Sequence, residues 1–181
     1  MQWISQASAE QRAGRAGRTG PGHCYRLYSA ALYSKLPVYS DPEIMKTPLE
    51  QTLLQLKAIG VEDLLRFPYV TRPPLLAIKQ AIRHLCIIGA LDITTSGKVL
   101  ERDSVEEYLA SSHSDNFHLW TKDPTTINDL GIVLSKIPVS PKYAKMLLAS
   151  HKYPGLFPYA LMIVACMSVP ELFTTQHIPH H

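Results

Sequence analysis

From Pro48 onward the apolar positions recur with helical spacing: Leu49, Leu53, Leu56 and Ile59 share one face, and Gly60 stands where a C-terminal cap belongs. A short second helix is expected over residues 62–67. Pro73 and Pro74 open a third, in which Leu75, Ile78, Ile82 and Leu85 line one face and Gly89 ends the run. The segment Ala90-Leu91-Asp92-Ile93-Thr94, a turn through Ser96-Gly97 and then Val99-Leu100 predict a small β-hairpin. Three short helices followed by a hairpin give the outline of a winged helix. Residues 101–131 are polar and poorly periodic, with a loop tip over 111–116, and read as a partly helical insertion. Beyond them Ser140 can cap and Pro141 can open a helix through Tyr143, Leu147 and Leu148, with a further helix over 158–167.

Ahead of Pro48 the pattern changes. Ser8 can cap a helix, Gln11 follows at capping-box spacing, and Gly20-Pro21-Gly22 stops it. Residues 23–28 then read as a strand, with too little neighbouring sheet in this chain to satisfy its edges, so further sheet is expected upstream. The fold class expected is mainly α with a small β component (α+β).

Composition narrows the classes. Hydrophobic residues make up 46% of the 181 and charged ones 18%, enough apolar surface for a packed core. The run 160–169 is too short for a bilayer, no signal peptide opens the chain, and Cys24, Cys86 and Cys166 lack metal or disulfide spacing. No membrane partner and a reducing, intracellular compartment are therefore expected. The net charge of +3 has its origin in residues 1–46, with Arg12, Arg15, Arg18, Arg26, Lys35 and Lys46 against Glu10, Asp41 and Glu43. A polyanion contact is expected there.

That segment also holds the strongest chemical signal, Gln11-Arg12-Ala13-Gly14-Arg15-Ala16-Gly17-Arg18-Thr19-Gly20. On a continuous helix, Gln11, Arg15 and Arg18 would project from one face. Two guanidiniums are fixed, permanently charged forks that match phosphoryl oxygens, and a glutamine can bond an oxygen or a water. Gly14 and Gly17 each cost a helix about 1 kcal/mol relative to alanine, which suggests close approach of a backbone or ligand. The plainer alternative is a basic amphipathic helix that is solvated or touches RNA phosphates.

The run QRAGRAGRTGPG resembles motif VI of superfamily 2 helicases in its DEAH/RHA form. The resemblance continues in Trp3-Ile4-Ser5-Gln6-Ala7-Ser8-Ala9, His23-Cys24-Tyr25-Arg26-Leu27-Tyr28, Leu54-Gln55-Leu56-Lys57-Ala58-Ile59-Gly60 and Pro138-Val139-Ser140-Pro141-Lys142-Tyr143-Ala144. It implies three parts: residues 1–45 as the C-terminal end of a second RecA-like domain, 46–104 as a winged helix, and 105–181 as an insertion plus the start of a helical ratchet bundle. It further implies that Gln11, Arg15 and Arg18 contact ATP, with Arg15 and Arg18 as catalytic fingers, in an ATP-dependent RNA helicase that uses ATP and Mg2+. Wording near the C-terminus is similar to a nucleolar subfamily that remodels U3 snoRNA and pre-rRNA. RNA (pre-rRNA or snoRNA), the missing RecA-like domains and a G-patch-type activator are the partners so implied, and the nucleus or nucleolus the location.

The chain also departs from the family. Its sole Gly-Lys pair, Gly97-Lys98, is preceded by Asp92 where a phosphate-binding loop would need glycine, and no Asp-Glu-Ala-His run is present. The parent is thus expected to be the enzyme, and the isolated chain to be inactive and to hold no cofactor. A non-catalytic winged-helix module that binds nucleic acid or protein is the alternative. On that reading Leu75 to Ile88 would be a recognition helix with Lys79 and Arg83 on its polar face, although the family implies an internal hub instead. Tyr25, Tyr28, Tyr33 and Tyr39 could stack on bases but are expected to pack. His177 and His180 are expected to be solvated, with no metal bound.

Overall fold

The computed structural model describes residues 3–95, 98–101, 104, 105, 109 and 120–169. The chain divides into two compact units, Met1–Thr47 and Pro48–His181.

In the first unit, helix α1 (Gln6–Ala13) begins at Ser5, whose Oγ accepts from the Ser8 amide at 3.1 Å. Ser40 Oγ lies 3.0 Å from Ser5 Oγ, and the amides of Gln6 and Ala7 donate to the carbonyls of Pro37 and Val38. The first-turn donors of α1 are thereby satisfied, and the helix starts at Ser5 instead of the expected Ser8. It also ends earlier than expected. After Gly14, the amides of Arg15 and Ala16 reach only three residues back, to Arg12 and Ala13, and the chain continues as turn. Glycines at 14 and 17 weaken the helix, and Ala9 is the sole buried residue of α1, so little packing holds it past Ala13. A four-residue helix, α2 (Ala30–Tyr33), follows with Ser29 as its cap, and a single 3₁₀ turn covers Glu43–Met45. The Gln6 amide group donates to the carbonyls of Tyr33 and Leu36, which closes this unit over Leu36. Residues 23–28 form no strand, contrary to expectation, because no partner strand lies beside them among the described residues. They do keep a two-residue alternation: Tyr25 and Leu27 are 87% and 100% exposed, whereas Arg26 and Tyr28 are half-buried.

The second unit is built on α3 (Glu50–Ala58) and α4 (Leu75–Ile88). Its core comprises Leu53, Leu54, Leu64, Ile78, Ile82, Leu85, Leu91, Ile93 and Leu134. Gly60 and Gly89 close the two helices with φ of +98° and +81°, the left-handed region that glycine enters without strain. The inward face of α3 is rotated from the expected one: Leu54 and Lys57 are buried and Ile59 is exposed.

The helix expected over 62–67 is a turn. Asp63 Oδ1 accepts from the amides of Leu65 and Arg66 at 3.0 and 3.2 Å, a side-chain substitute for helical bonding. As expected, α4 leads into a hairpin, β1 (Leu91–Thr95) with β2 (Lys98–Val99), paired through Thr94 with Val99 and Thr95 with Lys98.

A third strand, β3 (Thr125–Ile127), pairs antiparallel on the other side of β1, with Ile93 opposite Thr125 and Leu91 opposite Ile127, giving the order β2-β1-β3. The sequence reading placed no strand there. Next comes α5 (Asp129–Ser135), capped by Asn128, whose Oδ1 accepts from Gly131 at 2.9 Å and whose Nδ2 donates to Gly89 O and Asp92 Oδ1. A Cβ built at Gly131 would overlap the Ala90 carbonyl oxygen. Gly131→Ala is therefore expected to cost about 1–3 kcal/mol, read as a lower midpoint in chemical denaturation.

Helices α6 (Pro141–His151) and α7 (Phe157–Ser168) pack on each other, and Lys145 Nζ donates to Ile88 O at 2.6 Å, tying α6 to the end of α4. Ser140 is the N-cap residue of α6, but its side chain makes no capping bond. Ala160 and Val164 are the inward residues of α7, while Tyr159, Leu161, Met162, Ile163 and Met167 are exposed. No helix of the described residues is long and apolar enough to cross a membrane. The expected loop tip at 111–116 and the histidines at 177 and 180 lie outside the described residues.

Candidate phosphate-facing loop

The arginine-rich segment leaves the C-terminal end of α1 and returns alongside it. Gln11 and Arg12 sit in the last turn of α1, Arg15 in the turn that follows and Arg18 in the bend beyond it. A single helical face is thus not what displays Gln11, Arg15 and Arg18. All three are exposed, and their side chains make no hydrogen bond or ion pair among the described residues. Exposed guanidiniums without internal partners keep all their donors for an external anion. Gly14 has only carbonyls of its own helix within van der Waals range of a built Cβ, and Gly17 has open space. No backbone of the described chain therefore approaches Gly17, and the expectation of such an approach is not met from within. Gly22 is different, because a Cβ there would overlap the Ala16 carbonyl, so the loop closes on itself between Ala16 and Gly22.

Below that closure stands a cluster the sequence reading did not single out. Glu10 Oε1 accepts from Arg26 Nη2 and from the Tyr33 hydroxyl, both at 2.8 Å, and the Arg26 guanidinium lies 4.8 Å from the centroid of the Tyr33 ring. The hydrogen bonds from Arg26 and then Tyr33 hold the Glu10 carboxyl below the usual carboxylate range. The same bond to Glu10 raises Arg26, and acceptance by Glu10 raises the Tyr33 hydroxyl. Sequence alone offered one weak cue, the opposite charges of Glu10 and Arg26 flanking the arginine run. The four tyrosines divide: Tyr28 and Tyr33 stack with ring centroids 6.4 Å apart, whereas Tyr25 and Tyr39 are exposed and not packed as expected.

In the second unit, Lys79 is buried instead of standing on a polar face of α4, and desolvation lowers its pKa. Arg83 is half-buried, with its Nε enclosed and unbonded. A cationic groove-reading face is accordingly not built on α4 by this pair.

The largest buried polar feature of the second unit is also one the sequence reading missed. Lys57 Nζ lies 2.8 Å from Asp123 Oδ2 and donates to the carbonyls of Glu62 and Thr125, both at 2.6 Å. Asp123 in turn accepts from the Leu64 amide, the Thr125 amide and the Thr125 hydroxyl. The two side chains are 2% and 0% exposed. Every hydrogen-bonding direction of this pair is occupied within the protein, so its part is to join α3, the 64–66 turn and β3 rather than to bind a ligand. No group of three or more metal-ligating side chains occurs among the described residues.

Residues 140–181 match the helicase-associated domain (HA2), ratchet-like. The human "Probable ATP-dependent RNA helicase DHX37" is 42% identical over 171 residues, covering 94% of this chain and 13% of the relative. Kurz of Drosophila melanogaster is 37% identical over 94% of the chain and 12% of its own length, and DHR1 of Saccharomyces cerevisiae is 38% identical over 96% and 11%. Both carry the same helicase designation. The relatives are thus of the class of ATP-dependent RNA helicases. Over nearly its whole length the chain matches a segment of DEAH-type members of that class. It spans only 11–13% of the length of these relatives.

Proposed function

We propose that this chain is the connecting piece of an RNA-remodelling ATPase. In this reading residues 1–45 are the edge of the second RecA-like domain, 46–104 a winged helix, and 105–181 an insertion leading into the ratchet bundle. Gln11, Arg15 and Arg18 face the γ-phosphate of ATP held on another domain of the parent. The observation that carries the proposal is that these side chains are exposed and unpartnered among the described residues at one end of α1, in a chain aligned to RNA helicases over 94% of its length. ATP supplies the transferable phosphoryl group, and Mg2+ on the partner domain neutralises part of its charge. The chain's own contribution is two guanidiniums aimed where charge develops on the phosphoryl oxygens, and a glutamine amide that orients an oxygen or a water.

The isolated chain is expected to show no ATPase activity above blank at saturating RNA, because the phosphate-binding lysine and metal-binding carboxylates are contributed elsewhere in the parent. Turnover by the isolated chain that tracks its concentration through purification would overturn this division of labour.

The finer reading is remodelling of pre-rRNA or snoRNA in small-subunit ribosome assembly, in the nucleolus and with a G-patch-type activator. It is supported by the wording of the C-terminal segment and by similarity to DHX37 and DHR1. Crosslinking of the full-length protein to RNA in cells is expected to concentrate reads on pre-rRNA and snoRNA; reads spread evenly over messenger RNA would defeat this assignment.

A further inference from the structure

Among the described residues, the loop that bears Arg15 and Arg18 has no side-chain anchor of its own. Gln11, Arg12, Arg15 and Arg18 point to solvent, Gly17 and Gly20 have open space around them, and the Ala16–Gly22 closure fixes the tip relative to itself but not relative to α1. What connects the returning arm of the loop to α1 is the Glu10 cluster. Glu10 lies on α1 one turn before Gly14, Arg26 lies just past the loop, and Tyr33 ends α2. One carboxylate oxygen accepts from both partners at 2.8 Å, and the guanidinium lies over the ring of the second donor at 4.8 Å. Each of the three groups thus touches the other two, and the arrangement fixes an angle as well as a distance.

We propose that Glu10, Arg26 and Tyr33 form a clamp that sets the orientation of the Arg15 and Arg18 loop toward ATP, which makes them positioning residues for hydrolysis. The proposal rests on the reading of Arg15 and Arg18 as fingers. An exposed ion pair adds little to global stability, since water screens it and two long side chains must be ordered. Its effect on chemistry can be far larger, because a displacement of about 1 Å in a transition-state contact costs on the order of 10²-fold in rate. A cluster kept for stability would favour burial, whereas this one lies at the surface beside the base of a functional loop. The engagement of Arg26 with Glu10 also removes that guanidinium from the set offered to an anion, leaving Arg12, Arg15 and Arg18.

The test uses the full-length enzyme and compares Glu10→Gln, Arg26→Gln and the charge-reversed pair Glu10→Arg with Arg26→Glu. Single substitutions are expected to lower the RNA-stimulated kcat by roughly 10- to 10²-fold, with binding of a non-hydrolysable ATP analogue within about twofold of wild type. The reversed pair is expected to recover most of the lost kcat. Tyr33→Phe removes only one hydroxyl, keeps the ring beneath Arg26, and serves where the charged variants fail to fold; a kcat reduced several-fold is expected. Wild-type kcat in all of these variants, or a fall in kcat matched by an equal loss of analogue binding, overturns the clamp. If Arg15→Ala and Arg18→Ala are themselves fully active, the finger reading fails instead, and the two failures are thereby distinguished.

Discussion

Replacing Arg15 or Arg18 by alanine in the full-length parent is expected to lower RNA-stimulated ATP turnover by roughly 10³-fold or more, with ATP affinity changed only a few-fold. The asymmetry follows from what a finger does. Negative charge on the phosphoryl oxygens grows between ground state and transition state, so a guanidinium aimed at those oxygens stabilises the transition state more than the bound nucleotide. Both side chains are exposed and unpartnered among the described residues, so their removal strands no buried group and should leave the fold intact. Steady-state kinetics paired with analogue titration separate the two quantities. Undiminished turnover in either variant removes that arginine from the reaction, and a loss confined to affinity reassigns it to nucleotide binding.

The second large effect concerns Asp123. Asp123→Ala would leave the Lys57 ammonium, 2% exposed, without its counter-charge, and would strip acceptors from the Leu64 amide and the Thr125 amide and hydroxyl. Breaking one side of such a buried pair costs about 3–5 kcal/mol. That loss should appear as a fall of roughly 1–3 M in the urea midpoint of the cooperative transition reported by this unit. The double change Lys57→Met with Asp123→Leu removes both charges together and is expected to recover much of the loss, because desolvation offsets most of what a buried pair gains by attraction. A change below about 1 kcal/mol for Asp123→Ala would mean that the pair is solvated.

How legible all this was depends on how local each determinant is. Helix α4 could be read from the sequence because its apolar spacing lies within the element and its opening prolines and closing Gly89 directly flank it. The hairpin of β1 and β2 was legible for the same reason. Strand β3 was not, since Thr125–Ile127 is three residues in a polar stretch and becomes a strand only by pairing with β1. The 64–66 turn competes with a helix through one side chain, Asp63, whose preference for amide bonding outweighs a weak periodic pattern. Lys57 reads as a solvent-facing lysine until Asp123 arrives from far along the chain to neutralise it. In the loop, the identity of the exposed arginines was legible and their placement was not. Glycines that look tolerable within a helical pattern end α1 at Ala13, and the partner of Glu10 comes from beyond the loop at Arg26.

The Lys57–Asp123 junction also has a consequence in time. Lys57 and the Thr125 carbonyl it bonds are separated by 68 positions, so the contact carries the entropy of closing a long loop. Until residues 123–127 dock, α3 presents an ammonium to the core with no counter-charge, and its inward packing against α4 is opposed by desolvation. Full burial of α3 is therefore expected only once β3 is in place. During synthesis at roughly 5–20 residues per second, the ribosome must extend past Thr125 before that contact can form.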